Sequence, residues 1–202
     1  MLQSKCRYNR IVLLLSSIAC LMVLSCTSSS AIAEERINAI LSRGDAFMQQ
    51  GSYQEAESVF VDGLEQFPTS FQLHYNLGIV YALQGDFSKS LVTLQHLNEL
   101  SGAMNVKYLK ALGGVALVAE AFDIAVETWE QVVTLDPLDN ETRLRLIELL
   151  VETEQYEQGY TQALTAYELG QYSKELFTHL SVLEVLVQKG DGVGWDLIAQ
   201  TY

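Results

Sequence analysis

Residues Arg43–Pro68 read RGDAFMQQGSYQEAESVFVDGLEQFP. Small residues Gly44, Gly51 and Ala56 stand at set distances from the bulky Phe47, Tyr53 and Phe60, with apolar positions at helical spacing. Gly51 divides the stretch and Pro68 ends it, so it reads as two short helices joined by a tight turn. Ser52 with Glu55 three residues on predicts a capping-box start for the second helix.

The pattern recurs along the chain. Tyr53, Phe87, Phe122 and Tyr156 are spaced by 34, 35 and 34 residues. Three residues after each come Ala56, Ser90, Ala125 and Gly159, all small. Seven after come Phe60, Leu94, Trp129 and Ala163, and six before stand Phe47, Tyr81, Ala116 and Leu150. Gly44, Gly78 and Gly113 keep the same register, as do Pro68 and Pro137. One inserted residue near Ser101-Gly102 accounts for every 35 in these series. Asp86 and Asp139 are candidate N-caps of later helices. A helix pair of this length cannot bury its apolar face alone, so pairs must stack on one another.

These residues resemble the tetratricopeptide-repeat (TPR) family, whose unit is a 34-residue helix-turn-helix. The resemblance covers about residues 37–171. The second repeat keeps Leu77, Gly78, Tyr81, Gly85 and Phe87, and the third keeps Leu112, Gly113, Phe122, Ala125, Trp129 and Pro137. The fourth keeps Leu146, Tyr156 and Ala166 but has Ile147 and Gly159 where a small residue and alanine are usual. The implied fold is all-α: a TPR-type α-solenoid, a right-handed superhelix of antiparallel helix pairs, with four repeats and a degenerate C-terminal cap. The expected boundaries are 37–70, 71–105, 106–139 and 140–173, with the cap over 174–202. In that cap, residues 173–188 read as an amphipathic helix. Gly190 to Gly194 reads as a linker and Trp195 to Gln200 as a short final helix.

The N-terminus has a different composition. Lys5, Arg7 and Arg10 precede an apolar run from Ile11 to Leu24, 14 residues long, with no acid before Glu34. A membrane-spanning helix needs about 20 apolar residues, so the run has the length of a signal-peptide core. Two cleavage sites compete. Val23-Leu24-Ser25-Cys26 resembles the bacterial lipobox, and Ala31-Ile32-Ala33 resembles an ordinary signal-peptidase site. The three cysteines are Cys6, Cys20 and Cys26, so no disulfide lies beyond position 26. A diacylated Cys26 would hold the protein firmly on a bilayer. The reading is therefore a signal peptide over 1–25, a lipidated tether over 26–36, and a domain from 37 to 202. Thr27 after the cysteine implies, by resemblance to Gram-negative lipoproteins, outer-membrane delivery facing the periplasm. Cleavage after Ala33 would instead release a soluble periplasmic protein.

Composition narrows the partners. The formal net charge is -13, from 25 acidic and 12 basic residues. Such a surface repels phosphate backbones and anionic lipids, so nucleic acid is not an expected partner. His74, His96 and His179 are isolated in the sequence, and no set of catalytic residues or metal ligands appears. Neither an enzyme nor a cofactor is expected. The run Asp136-Pro137-Leu138-Asp139-Asn140-Glu141 falls where an inter-repeat turn belongs and lacks the spacing of a calcium loop.

In TPR proteins the first helix of each pair lines a concave groove. By resemblance, the first repeat offers Asn38, Leu41, Asp45 and Met48, and the second Gln72, Tyr75, Asn76, Ile79 and Leu83. The third offers Lys107, Lys110, Leu117 and Val118, and the fourth Glu141, Leu144, Arg145, Glu148 and Glu152. Asn76 and Lys107 match two positions of the family's carboxylate clamp, but Leu41, Asp45 and Ala111 occupy the rest, and Asp45 would repel a carboxylate. The clamp is rejected. An apolar stripe of Tyr75, Ile79, Leu83, Leu117 and Val118 beside two lysines remains. It suits a hydrophobic or amphipathic peptide, a terminal helix of the chain itself, or a second copy. The functional expectation is a non-catalytic adaptor of the bacterial envelope that binds a protein or peptide partner. The alternative is a soluble periplasmic co-chaperone or a self-associating structural subunit.

Overall fold

A computed structural model describes residues 30–187. All regular structure among them is α-helical. The helices are α1 (residues 30–49), α2 (Tyr53–Gln66), α3 (Phe71–Leu83), α4 (Phe87–Leu100), α5 (Val106–Val118), α6 (Phe122–Leu135), α7 (Asn140–Glu152), α8 (Tyr156–Glu168) and α9 (Lys174–Leu186). The described residues divide into two compact units, the first ending at Leu73 and the second beginning at His74. The architecture is an all-α solenoid of helix pairs. Residues 30–36, expected as part of a tether, are instead helical. Ala31, Ala33, Glu34, Glu35 and Arg36 favour helix, and Arg36 donates to Gln66 Oε1 at 2.6 Å.

Each first helix ends in the same way. Ser52, Asp86, Ala121 and Gln155 donate their backbone N–H to the carbonyls of Phe47, Tyr81, Ala116 and Leu150, at 2.9, 2.9, 2.9 and 2.7 Å. This is the six-to-one bond of a Schellman turn, which needs a left-handed residue just before the donor. Gly51 and Gly85 fill that position with φ of 71° and 79°, whereas Glu120 and Glu154 are held there at 57° and 60°. The second helices alternate between two endings. α2 and α6 stop before Pro68 and Pro137. α4 and α8 end in left-handed Gly102 and Gly170, both at φ 74°. The connectors over 101–105 and 169–173 are therefore one residue longer than those over 67–70 and 136–139. The first of these is the insertion read from the aromatic spacing. The second follows the last aromatic of the series and leaves no mark on it.

The N-caps follow side-chain reach. Asp86 accepts from Lys89 N and Asp139 from Thr142 N, while Asn105 and Ser173 cap α5 and α9. Ser52 makes no side-chain cap bond, contrary to the capping-box expectation. Its backbone (φ -85°, ψ 67°) nearly matches that of Asp86 (φ -86°, ψ 70°). At that geometry the longer carboxylate reaches the third amide and the shorter hydroxyl does not. Ser173 succeeds because its backbone is extended.

The core is built by close approach within pairs. A Cβ on Gly44 would lie 2.2 Å from the Phe60 ring, one on Gly78 2.7 Å from Leu94, and one on Gly113 2.3 Å from the Trp129 indole. Ser90 sits at a small position of α4 and donates its hydroxyl to the Gly78 carbonyl at 2.7 Å. In the fourth pair the slot is inverted. Ile147 is fully buried where glycine stands elsewhere, and Ala163 stands where Phe60, Leu94 and Trp129 do. Burying side chains of this size contributes about 1.5–3 kcal/mol each.

Candidate partner-binding face

Within residues 74–202 the first helices of successive pairs are tied along one face. The Lys107 ammonium lies 4.2 Å from the Tyr75 ring centroid, and Tyr75 packs on Tyr108 with centroids 5.6 Å apart, joining α3 to α5. Lys110 Nζ meets Asp139 Oδ2 at 2.8 Å, joining α5 to the start of α7. His179 Nε2 lies 3.7 Å from Glu148 Oε1, joining α9 to α7.

The groove residues read from the sequence have different roles. Leu83 and Val118 end α3 and α5 and are 48% and 61% exposed. Tyr75, Asn76 and Ile79 are half-buried, and Lys107 is exposed above its aromatic partner. Leu117 packs against the α5–α7 core cluster. It therefore belongs to the packing more than to an open stripe, because the 100° step per residue turns it away from Val118. Lys110, one of the two lysines read beside the stripe, is ion-paired with Asp139. Leu41 and Met48 are half-buried on α1, in the other unit. Cys26 lies outside the described residues, as do the expected linker at Gly190 to Gly194 and the expected helix at Trp195 to Gln200.

Sequence reasoning missed Gly114. A Cβ there would have no neighbour within 4 Å, so α5 presents bare backbone between Lys110 and Val118 on this face. Its signal was present, because a helical glycine costs stability and needs a reason. It was masked by the neighbouring Gly113, which the repeat explains.

Two polar clusters support the face from below. The Asp139 carboxyl is pushed up by burial, but hydrogen bonds from Lys110 and Thr142 outweigh this and hold it below its ordinary value. Arg143 is 2% exposed. It donates to Gln162 Oε1 at 2.8 Å and to the Pro137 carbonyl at 3.0 Å. Burial lowers its pKa and the nearby Asp139 opposes that. Gln171 donates to the same Pro137 carbonyl at 2.9 Å, so the turns before α7 and α9 are joined directly. Burial, followed by Tyr75, raises the pKa of the Tyr108 phenol.

The histidines are not all isolated. His74 and His96 pack edge to face with centroids 5.2 Å apart, and His74 is buried, not at the surface. Their sequence separation hides a contact made across one helix pair. Among the described residues no group of three metal-ligating side chains occurs, and no helix is long and apolar enough to cross a membrane.

Residues 41–94 match the family model for the tetratricopeptide repeat. No curated protein matches the chain. Among solved structures, the chain is similar to a tetratricopeptide repeat protein from Parabacteroides merdae (TM-score 0.65, 15% identity) over 76% of this chain and 60% of that protein. It is also similar to MamA from Desulfovibrio magneticus (TM-score 0.62, 19% identity), over 81% of this chain and 93% of that one. A third is YrrB, described as a TPR protein with an unusual peptide-binding site (TM-score 0.62, 17% identity, 81% and 84% covered). At these identities the likeness is one of fold. The family model covers the first two repeats, and over the described residues the chain has the fold of tetratricopeptide-repeat proteins.

Proposed function

We propose that this protein is a non-catalytic scaffold that docks a peptide or protein segment on the face formed by α3, α5, α7 and α9. The observation that carries the proposal is the pairing of two exposed apolar helix ends, Leu83 and Val118, with bare backbone at Gly114 on that face. Apolar side chains left in water favour a partner that covers them, and a helical glycine with open space lets a ligand approach closely. Exposed Lys107, at the opposite end of α5 from Val118, gives an acidic group on an extended ligand a counter-charge. The setting we propose is the bacterial envelope, with the chain held to the outer membrane through a lipidated Cys26 and facing the periplasm. The lipobox-like Val23-Leu24-Ser25-Cys26 supports this part.

The test is recovery of partners from envelope extracts by the full chain, beside a Leu83→Glu/Val118→Glu variant and a Cys26→Ser variant. Substituting Tyr75 would confuse the result, because its ring packs on Tyr108. The groove variant should lose its partners and keep its melting temperature, whereas Cys26→Ser should lose acyl mass and membrane association. Partners retained by the groove variant would overturn the docking face. An unmodified N-terminus at Glu34 would overturn the anchor.

A further inference from the structure

We infer that the cleft between the α4–α5 turn and α6 is a second docking site, for a partner segment that carries a lysine or arginine flanked by apolar residues. The cleft has a volume of about 470 Å³ and is lined by Ala103, Glu127, Glu130, Gln131, Thr134 and Leu135. Its chemistry is one-sided. Ala103 and Leu135 supply hydrocarbon, and the two glutamates supply acceptors. The Gln131 amide oxygen is buried and accepts no hydrogen bond. The Thr134 hydroxyl is already committed to the Glu130 carbonyl at 2.7 Å. No cation lines the cleft, and among the described residues neither glutamate forms an ion pair. A long basic side chain matches this arrangement: its methylenes cover Ala103 and Leu135 while its head donates to the carboxylates.

The surroundings supply the apolar part. Met104 and Leu138, in the turns at either side, are 73% and 72% exposed, where turn chemistry favours small polar residues. Tyr172 occupies the same place one repeat after Leu138. It is accounted for by packing on Tyr167 and Phe177, with centroids at 5.3 and 6.0 Å. The chain's net charge of -13 draws a basic partner. A lipid surface fits less well, because it would strip water from two carboxylates and offer them no donor.

The probe is a fluorescently labelled ten-residue peptide with one central arginine between leucines, beside the same peptide with neutral citrulline, titrated by anisotropy into the full chain. The arginine peptide should bind at least about tenfold more tightly than the citrulline peptide and weaken with salt. Glu127→Gln/Glu130→Gln and Met104→Ser/Leu138→Ser should each reduce binding by a similar factor without moving the melting temperature. Leu83→Glu/Val118→Glu should leave it unchanged, so failure here is distinct from failure of the first-helix face. Equal binding of the two peptides would overturn the inference. So would loss of binding in the Leu83→Glu/Val118→Glu variant, or no binding at millimolar concentration. Attachment to phosphatidylcholine vesicles through Met104 and Leu138, with no peptide binding, would assign the ridge to lipid and overturn it as well.

Discussion

The first three helix pairs and the fourth solve one packing problem in opposite ways. In the first three, the first helix supplies glycine and the second supplies Phe60, Leu94 or Trp129 sixteen residues later. In the fourth, the first helix supplies Ile147 and the second supplies Ala163. A slot of nearly fixed volume needs one large and one small residue, and does not require a particular helix to carry the large one. What reads in the sequence as a degenerate repeat is therefore a compensated one.

The sharpest way to break this comparison is to reverse the fourth slot. Ile147→Gly alone should destabilise the protein by about 4 kcal/mol, from the lost side chain and a glycine inside a helix. Ala163→Phe alone should cost about 2 kcal/mol by overpacking. Together they recreate the arrangement of Gly44 and Phe60. Urea denaturation of the four proteins should then show a coupling of about 2 kcal/mol or more in favour of the double variant. Additive losses would mean that the two positions do not share a slot.

The next effect contrasts two glycines. Gly113→Ala puts a methyl against a rigid, buried indole and should cost about 2 kcal/mol. Gly159→Ala meets nothing tighter than a Leu183 methyl at 3.3 Å, which can turn aside, with Leu150 Cβ at an ordinary 3.5 Å. Helix propensity should then stabilise that variant by about 0.5 kcal/mol. The order of the two midpoints in denaturant checks both.

A smaller effect separates the N-caps. Asp139→Ala should cost about 1 kcal/mol near neutral pH. The folded Asp139 carboxyl titrates below its ordinary value of 3.8, so folding favours its charged form. That contribution is complete above the unfolded pKa and is lost as the pH falls through the folded one. The gap between wild type and variant should therefore close on acidification. Asn105→Ala and Ser173→Ala, at uncharged caps of the same register, should show no such closure.

The smallest effect lies in the turns. Glu120→Gly and Glu154→Gly relieve a left-handed glutamate but add unfolded-state freedom, for a net gain of about 0.5 kcal/mol each. Gly51→Ala and Gly85→Ala should lose about 1 kcal/mol. Thermal melts of the four variants would rank them, and equal losses in all four would show that these turns are not equivalent.

Much of this was legible beforehand because it is local. The turn glycines, the small positions, both proline stops and the inserted residue at Ser101-Gly102 all recur at a fixed spacing. Ser52 misled because capping depends on whether an oxygen reaches an amide, and the sequence pattern carries no backbone angle. The ion pair of Lys110 could not be read because its partner, Asp139, stands at the start of the next repeat. The long connector over 169–173 went unread because no later aromatic recorded the shift.

By itself, then, the sequence determined the helix-pair repeat, its register and where each first helix must turn, since periodicity and glycine act within a few residues. Tertiary structure alone decided which side of each slot holds the bulk, that Leu117 packs against the core while Val118 is open, and that His74 meets His96. Those outcomes depend on how neighbouring helices divide a shared volume, and a single helix's sequence does not specify its neighbour's share.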